Sequence, residues 1–212
     1  MDISYLGHSS FKIKTKTATV VTDPFSSEMV GFKFPKTEAE IVTVSHQHKD
    51  HNFVQGVGGE PFVISMPGEY EVKGVSILGY SSYHDAKAGA ERGKNTIFVI
   101  EAEGLTICHL GDLGSLPSSE VMEKIVGVNI LMVPVGGTYT IDPEGAVEVI
   151  NQIEPAIVLP MHFKSPGITN LAEVGEFLAE MGAEQAEKLD KLSISKDKLP
   201  QETKVVVLER KS

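Results

Sequence analysis

The run His46-Gln47-His48-Lys49-Asp50-His51 puts four metal-binding side chains into six residues, directly after the β-branched segment Ile41-Val42-Thr43-Val44-Ser45. A segment of that composition is a strand. Side chains on extended backbone alternate faces, so His46 and His48 point the same way, and a turn brings Asp50 and His51 to join them. Without a cation, donors at this density are poorly solvated and repel one another once protonated. Imidazole with carboxylate suits Zn²⁺ or a similar divalent ion. The alternative is a polar surface loop that gathered histidines by chance, but the chain has only seven and three of them stand here. A strand must therefore deliver this run to a sheet edge, where loops carry further ligands to it.

Two of the other histidines also follow strand-like runs, His84 after Val75–Tyr80 and His162 after Ala156–Pro160. Asp112 follows the strand Leu105–Leu110 with Gly111 and Gly114 on either side, which permits a tight backbone approach. A carboxylate so placed can bridge two cations.

The first half of the chain reads as short strands with tight turns: Ile3–Leu6, Phe11–Lys14, Thr19–Thr22, Ile41–Ser45, Phe62–Ser65, Val75–Tyr80, Thr96–Glu101 and Leu105–Leu110. From about residue 116 helices alternate with strands: helix Ser118–Val126, strand Ile130–Val135, helix Pro143–Ile153, strand Ala156–Pro160, helix Asn170–Met181 and a last strand Val205–Glu209. No fixed-period repeat and no break in composition divides the chain. The pattern predicts a single α/β domain over residues 1–212, with two mixed sheets inside and helices outside. The polar, Lys-rich stretch Ala183–Lys198 reads as a frayed helix end or surface excursion.

A net charge of −10 repels polyanions, which disfavours nucleic acid and leaves a small molecule as the expected substrate. Cys108 is the single cysteine, set among apolar residues, so the fold needs no disulfide. No apolar run reaches about 18 residues and the first residues lack an export signal, so we expect no membrane segment and a cytoplasmic location. Nothing in the sequence specifies an oligomeric state.

With these residues in this order, the chain resembles the metallo-β-lactamase superfamily, whose signature is His-x-His-x-Asp-His followed by a distant His, an Asp and a final His. Gly7-His8-Ser9-Ser10-Phe11, Thr22-Asp23-Pro24-Phe25 and His109-Leu110-Gly111-Asp112 bring it nearer to the short bacterial and archaeal metal-dependent hydrolases related to ascorbate-6-phosphate lactonase. The resemblance implies an αββα sandwich with two divalent ions, Zn²⁺ first and Mn²⁺ or Fe²⁺ as alternatives. One ion would be held by His46, His48 and His84, the other by Asp50, His51 and His162, with Asp112 bridging. His109 rivals His84, although strand alternation turns it from the metals or into a supporting position behind them. Such a centre hydrolyses an ester, lactone, amide or phosphodiester. The alternative on this scaffold is a mononuclear-iron redox enzyme. Di-iron reductases carry Glu where this chain has His48, and a flavin domain for which no residues remain. A non-catalytic binding module is disfavoured because no expected ligand is missing.

Other residues carry weaker expectations. Asp50 is a ligand first and a proton shuttle second. His8 either acts on substrate or pins the first hairpin. Asp23 is expected to orient the histidine run from behind, and Asp142 to cap the helix starting at Pro143. Lys164 is a candidate contact for an anionic substrate group. Gly136 and Gly137 read as a turn.

Overall fold

The computed structural model describes residues 1–210. Its first sheet opens with a meander of β1 (Asp2–Gly7), β2 (Ser10–Lys14) and β3 (Thr19–Thr22). After the short helix α1 (Ser27–Val30) and the two-residue β4 (Thr37–Glu38), the chain returns as β5 (Ile41–Thr43), parallel to β3. β6 (Val57–Gly58) pairs with β4, and β7 (Phe62–Ile64) extends the sheet parallel to β5.

The second sheet starts as an antiparallel run of β8 (Gly68–Val72), β9 (Val75–Tyr83), β10 (Lys94–Ala102) and β11 (Leu105–His109). Crossovers through α2 (Ser119–Ile125) and α3 (Pro143–Ile153) then add β12 (Ile130–Pro134) and β13 (Ile157–Met161) in parallel. α4 (Val174–Glu180) precedes β14 (Glu187–Leu189), β15 (Leu192–Ser193) and β16 (Lys204–Leu208). β16 lies between β13 and β14, while β15 crosses to pair with β1 in the first sheet.

Alternation along the strands builds the layers. Phe98 and Ile100 of β10, with Ile107 of β11, face Ile3, Phe11, Ile13 and Ile41 across the inter-sheet core. Ile97, Val99 and Cys108 face the opposite way and pack against Val149, Ile153 and Phe177 of the helices. The outer face of the first sheet is covered differently from the expectation of helices on both sides. Val21 and Val42 lie under Phe25, Val30 and Phe34, from loops and the four-residue α1. Among the described residues no helix is long and apolar enough to cross a membrane.

Two expectations need correction, and one strand was not foreseen. The stretch Ala183–Lys198 is no frayed helix end: it supplies β14 and β15, whose edge positions tolerate polar side chains. The helix expected over Asn170–Met181 is confined to Val174–Glu180, because the Ala172 N–H donates to the Gly136 carbonyl and its carbonyl accepts from the Lys164 N–H. Gly68–Val72, absent from the expected strands, is an edge strand.

The topology brings chemistry to one place. β1, β3, β5, β9, β11 and β13 all end at the same edge of the sandwich, and the residues after them are His8, Asp23, His46, His84, Asp112 and His162.

Candidate metal centre

β5 ends at Thr43, although the Val44 N–H still donates to the Ile64 carbonyl, so His46 leaves the sheet from a pinned backbone. The His48 carbonyl then accepts from the N–H groups of His51 and Asn52, a turn that swings Asp50 and His51 back over the sheet edge. Thr96 of β10 donates its N–H to the Ser45 carbonyl, and His162 donates its N–H to the His8 carbonyl. These two bonds lock the edges of the two sheets together around the histidines.

Two groups of ligand atoms that share no residue result, each with its members within 4.8 Å of one another: His46, His48 and His84 in one, His8, Asp50, His51 and His162 in the other, while a third, Asp23 with His46 and His51, joins a histidine from each. Asp112 lies between them. Its Oδ2 is 3.8 Å from His46 Nε2 and 3.3 Å from His84 Nε2, and it is 3.2 Å from His51 Nε2 and 3.1 Å from His162 Nε2. One oxygen thus faces two imidazoles of each group. Gly111 permits this approach: at φ +57° it sits where an added Cβ would stand 2.3 Å from Asn95 Oδ1. Asn95 in turn accepts the Asp112 N–H at 3.0 Å and donates to the Leu110 carbonyl, a buried anchor that sequence reading did not single out.

Asp23 acts on both groups. It is fully buried, with Oδ1 accepting the Ser45 N–H at 2.7 Å and Oδ2 accepting the Ser45 hydroxyl at 2.5 Å. Oδ2 also lies 2.9 Å from His51 Nδ1. A carboxylate only accepts, so His51 keeps a proton on Nδ1 in either charge state, and Nε2, toward Asp112, is the nitrogen that a cation can take. The Ser45 hydroxyl, with its proton committed to Asp23, can only accept from His46 Nδ1, 3.0 Å away. His46 Nε2 is bare by the same logic. One carboxylate fixes the tautomer of a histidine in each group.

Electrostatics agree with a ligand set. Burial pushes His46 down to about 3, and burial with the charge of His162 pushes His8 down to about 4, so both imidazoles stay neutral in ordinary buffer. Burial lowers His84 too. Burial also works against the charged form of His51, but Asp112 and Asp23 outweigh it and hold this group well above 6.5. Burial would raise Asp112, yet the histidines around it hold it well below the usual carboxylate range, and His8 and His51 do the same for Asp50. His46 Nε2 and His51 Nε2, which face Asp112 Oδ2, and both ring nitrogens of His8 are buried with no hydrogen-bond partner. Orphaned buried nitrogens and oxygens are costly unless something binds them. Divalent cations fit this donor set of imidazole and carboxylate.

His109 takes no part in either group. Its Nε2 bonds the Ser9 carbonyl at 2.8 Å and its Nδ1 accepts the Gly111 N–H, which exhausts the ring. His8 divides its duties: its carbonyl accepts from the Tyr5 hydroxyl and the His162 N–H, while its imidazole lies 3.4 Å from Asp50 Oδ2 within the cluster. Asp142 caps α3 by accepting the Gly145 N–H at 2.9 Å. Gly136 and Gly137 form a turn that the Ile141 carbonyl closes. Lys164 is not at the site: it is paired with Glu173 at 2.9 Å. The cations that do line the mouth are Lys49 and Arg92, neither of which sequence reading singled out as a substrate contact.

Comparison with known proteins follows the same outline. A model of the beta-lactamase superfamily domain matches residues 2–162. A UPF0173 metal-dependent hydrolase of Pelotomaculum thermopropionicum is 26% identical over 195 residues, covering 78% of this chain and 85% of that protein. The crystal structure of a candidate Zn-dependent hydrolase of the metallo-beta-lactamase superfamily from Thermotoga maritima is 38% identical, covers 99% of each chain and superposes with a TM-score of 0.81. A metallo hydrolase from Ignicoccus hospitalis, 20% identical with a TM-score of 0.65 and covering 100% of this chain and 96% of that one, shares the fold.

Proposed function

The chain belongs to the beta-lactamase superfamily, and from that premise we propose that it is a hydrolase working through two divalent metal ions, Zn²⁺ first, on an ester, lactone, amide or phosphodiester bond of a small molecule. The observation that carries this reading is the position of Asp112 Oδ2, within 3.8 Å of two imidazoles from each ligand group. A single cation would use one group and leave the other's buried nitrogens unmatched. His46, His48 and His84 would hold one ion, Asp50, His51 and His162 the other, with Asp112 shared between them.

Two such ions supply a water nucleophile near neutral pH and polarise the oxygen of the scissile bond. The protein supplies position and proton handling. Asp23 and Ser45 keep His46 and His51 in the tautomers that leave Nε2 bare. Asp50 is only partly buried, so its carboxylate can carry a proton between the cluster and a leaving group in the mouth. The buried His8 imidazole, with Nε2 3.4 Å from Asp50 Oδ2, would steady that carboxylate from behind.

The test is activity with and without metal. Chelated protein should be inert toward p-nitrophenyl esters and bis(p-nitrophenyl) phosphate, Zn²⁺ or Mn²⁺ should restore turnover, and His46→Ala or Asp112→Ala should abolish both metal uptake and hydrolysis. Variants that keep full metal and activity would refute the assignment.

A further inference from the structure

Beside the centre lie two cavities, of about 620 and 430 Å³, that share His48 and Arg92 in their walls. The smaller contains Asp50, His84, Asp112 and His162 and is therefore where a scissile bond would meet the cluster. The larger extends past His46 and His48 toward Lys94. Arg92 stands at the junction.

Its placement is built from two sides. Asp85 follows His84 directly, and its carboxylate accepts four backbone N–H groups: those of Lys87 at 2.7 Å and Gly89 at 2.9 Å on Oδ1, and those of Glu91 at 3.1 Å and Arg92 at 2.8 Å on Oδ2. That wraps the loop after β9 into a fixed coil with Arg92 at its end. The coil is seated on the Asp112 loop through Gly114, where an added Cβ would stand 2.3 Å from the Asp85 nitrogen. From the other side, the guanidinium lies over the Tyr139 ring, its central carbon 4.3 Å from the centroid, and Tyr139 is itself held by a 2.8 Å bond from Asn170 to its hydroxyl. Stacking leaves the edge of a guanidinium free, and that planar fork matches carboxylate and phosphate.

The charge is also conspicuous by its context. The chain carries −10 overall and has two arginines, Arg92 and Arg210. Among the described residues no carboxylate forms an ion pair with Arg92, while Lys164 is matched by Glu173. Lys49 and Lys94 stand on the rims of the smaller and larger cavity. A cation on a stacked, backbone-anchored mount facing a hydrolytic centre is placed to receive a negative group.

We infer that Arg92 is a substrate-binding residue, and that the substrate carries an anionic group, carboxylate or phosphoryl, separate from the bond that is cleaved. The inference rests on the hydrolytic reading for the identity of the bound molecule, and on the geometry of Arg92 for its charge. It makes Arg92 a specificity determinant: a neutral analogue of the same shape forgoes a charge-assisted, bidentate contact.

The test compares metal-loaded wild type with Arg92→Gln and Arg92→Lys. With p-nitrophenyl butyrate and mono-p-nitrophenyl succinate as a neutral and an anionic ester, Arg92→Gln should lower the ratio of kcat/KM for the anionic over the neutral ester by about tenfold to a hundredfold, mainly through KM, the size of a hydrogen bond to a charged group. Arg92→Lys should recover part of the ratio, because charge is kept and the fork lost. Calorimetric titration with monomethyl succinate and with monomethyl phosphate separates the two anions, and Arg92→Gln should weaken at least one of them by a similar factor. An unchanged ratio together with unchanged affinities for both anions overturns the inference. Wild type that cleaves neither ester refutes the ester form of the hydrolytic reading, and the titrations then decide the role of Arg92 alone.

Discussion

Replacing Asp23 by Asn keeps the shape of a buried residue and changes what its neighbours can do. The Oδ1 of Asn still accepts the Ser45 N–H, but an NH₂ now stands where Oδ2 accepted from the Ser45 hydroxyl and approached His51 Nδ1. Facing donors, His51 must bare Nδ1 and carry its proton on Nε2, the atom that points at Asp112. The Ser45 hydroxyl, no longer bound to a carboxylate, turns its proton to His46 Nδ1, and His46 likewise moves its proton to Nε2. One uncharged substitution therefore disables a nitrogen in each ligand group. Loss of a partner that orients a ligand costs about 10- to 100-fold in metal affinity, or roughly 1.4–2.7 kcal/mol per site. Because most of the local bonds can be remade, metal-free stability should move by only about 1 kcal/mol. Competition against a colorimetric chelator, with thermal melts of the metal-free forms as control, reads both quantities. Ser45→Ala breaks the relay to His46 alone, so it should weaken one site and spare the other. Asp23→Asn that binds both ions as tightly as wild type would refute the tautomer argument.

His8→Ala should retain two metals and its thermal stability while losing about 10²–10⁴ in rate, the range for a positioned polar group acting on the reaction. A destabilised but fully active variant would reduce His8 to a hairpin anchor. Metal uptake should also release protons: Asp112 and Asp23 raise His51 in the metal-free protein while a cation needs its Nε2 bare, so binding displaces protons, measurable by calorimetry in buffers of different ionisation enthalpy. Metal-free stability has opposed pH windows. His46 and His8 have folded values of about 3 and 4 against 6.5 unfolded, so the unfolded chain takes protons that the fold refuses and stability falls as pH drops from 6.5 toward that range. The raised value of His51 stabilises fully below 6.5 and is lost as pH rises through its folded value. A metal-free melting temperature that climbs steadily on acidification from pH 6.5 to 4 would contradict the first assignment.

Much of this architecture was legible because burial and chemistry coincide with local pattern. The strand before His46, the helix from Pro143 and the strand ending at Met161 announce themselves by β-branched runs or by a cap, and each lies close to its expected span. His84 came from the family resemblance and strand alternation argued against its rival His109, whose ring the structure puts on backbone atoms behind the cluster. Illegible parts were those stabilised from a distance. β8 is Gly-Glu-Tyr-Glu-Val, and β14 and β15 are polar, so their pairing with long neighbours, not their own composition, makes them strands. Lys164 looked available because Glu173, its partner, is nine residues on at the start of α4. Arg92 sits in a loop with no periodicity, and only the four bonds to Asp85 show that the loop has a shape. The start of α4 did leave a local trace, a Glu173/Glu176 capping box, lying inside the span expected to begin at Asn170.

The central claim is that seven side chains on strand ends make one two-metal centre, and its most direct test is the metal content of the purified protein. Elemental analysis after exhaustive dialysis should find close to two Zn or Mn per chain in wild type, falling sharply in Asp112→Ala, whose shared oxygen serves both ligand groups. One Fe per chain, untouched by that substitution, would contradict it.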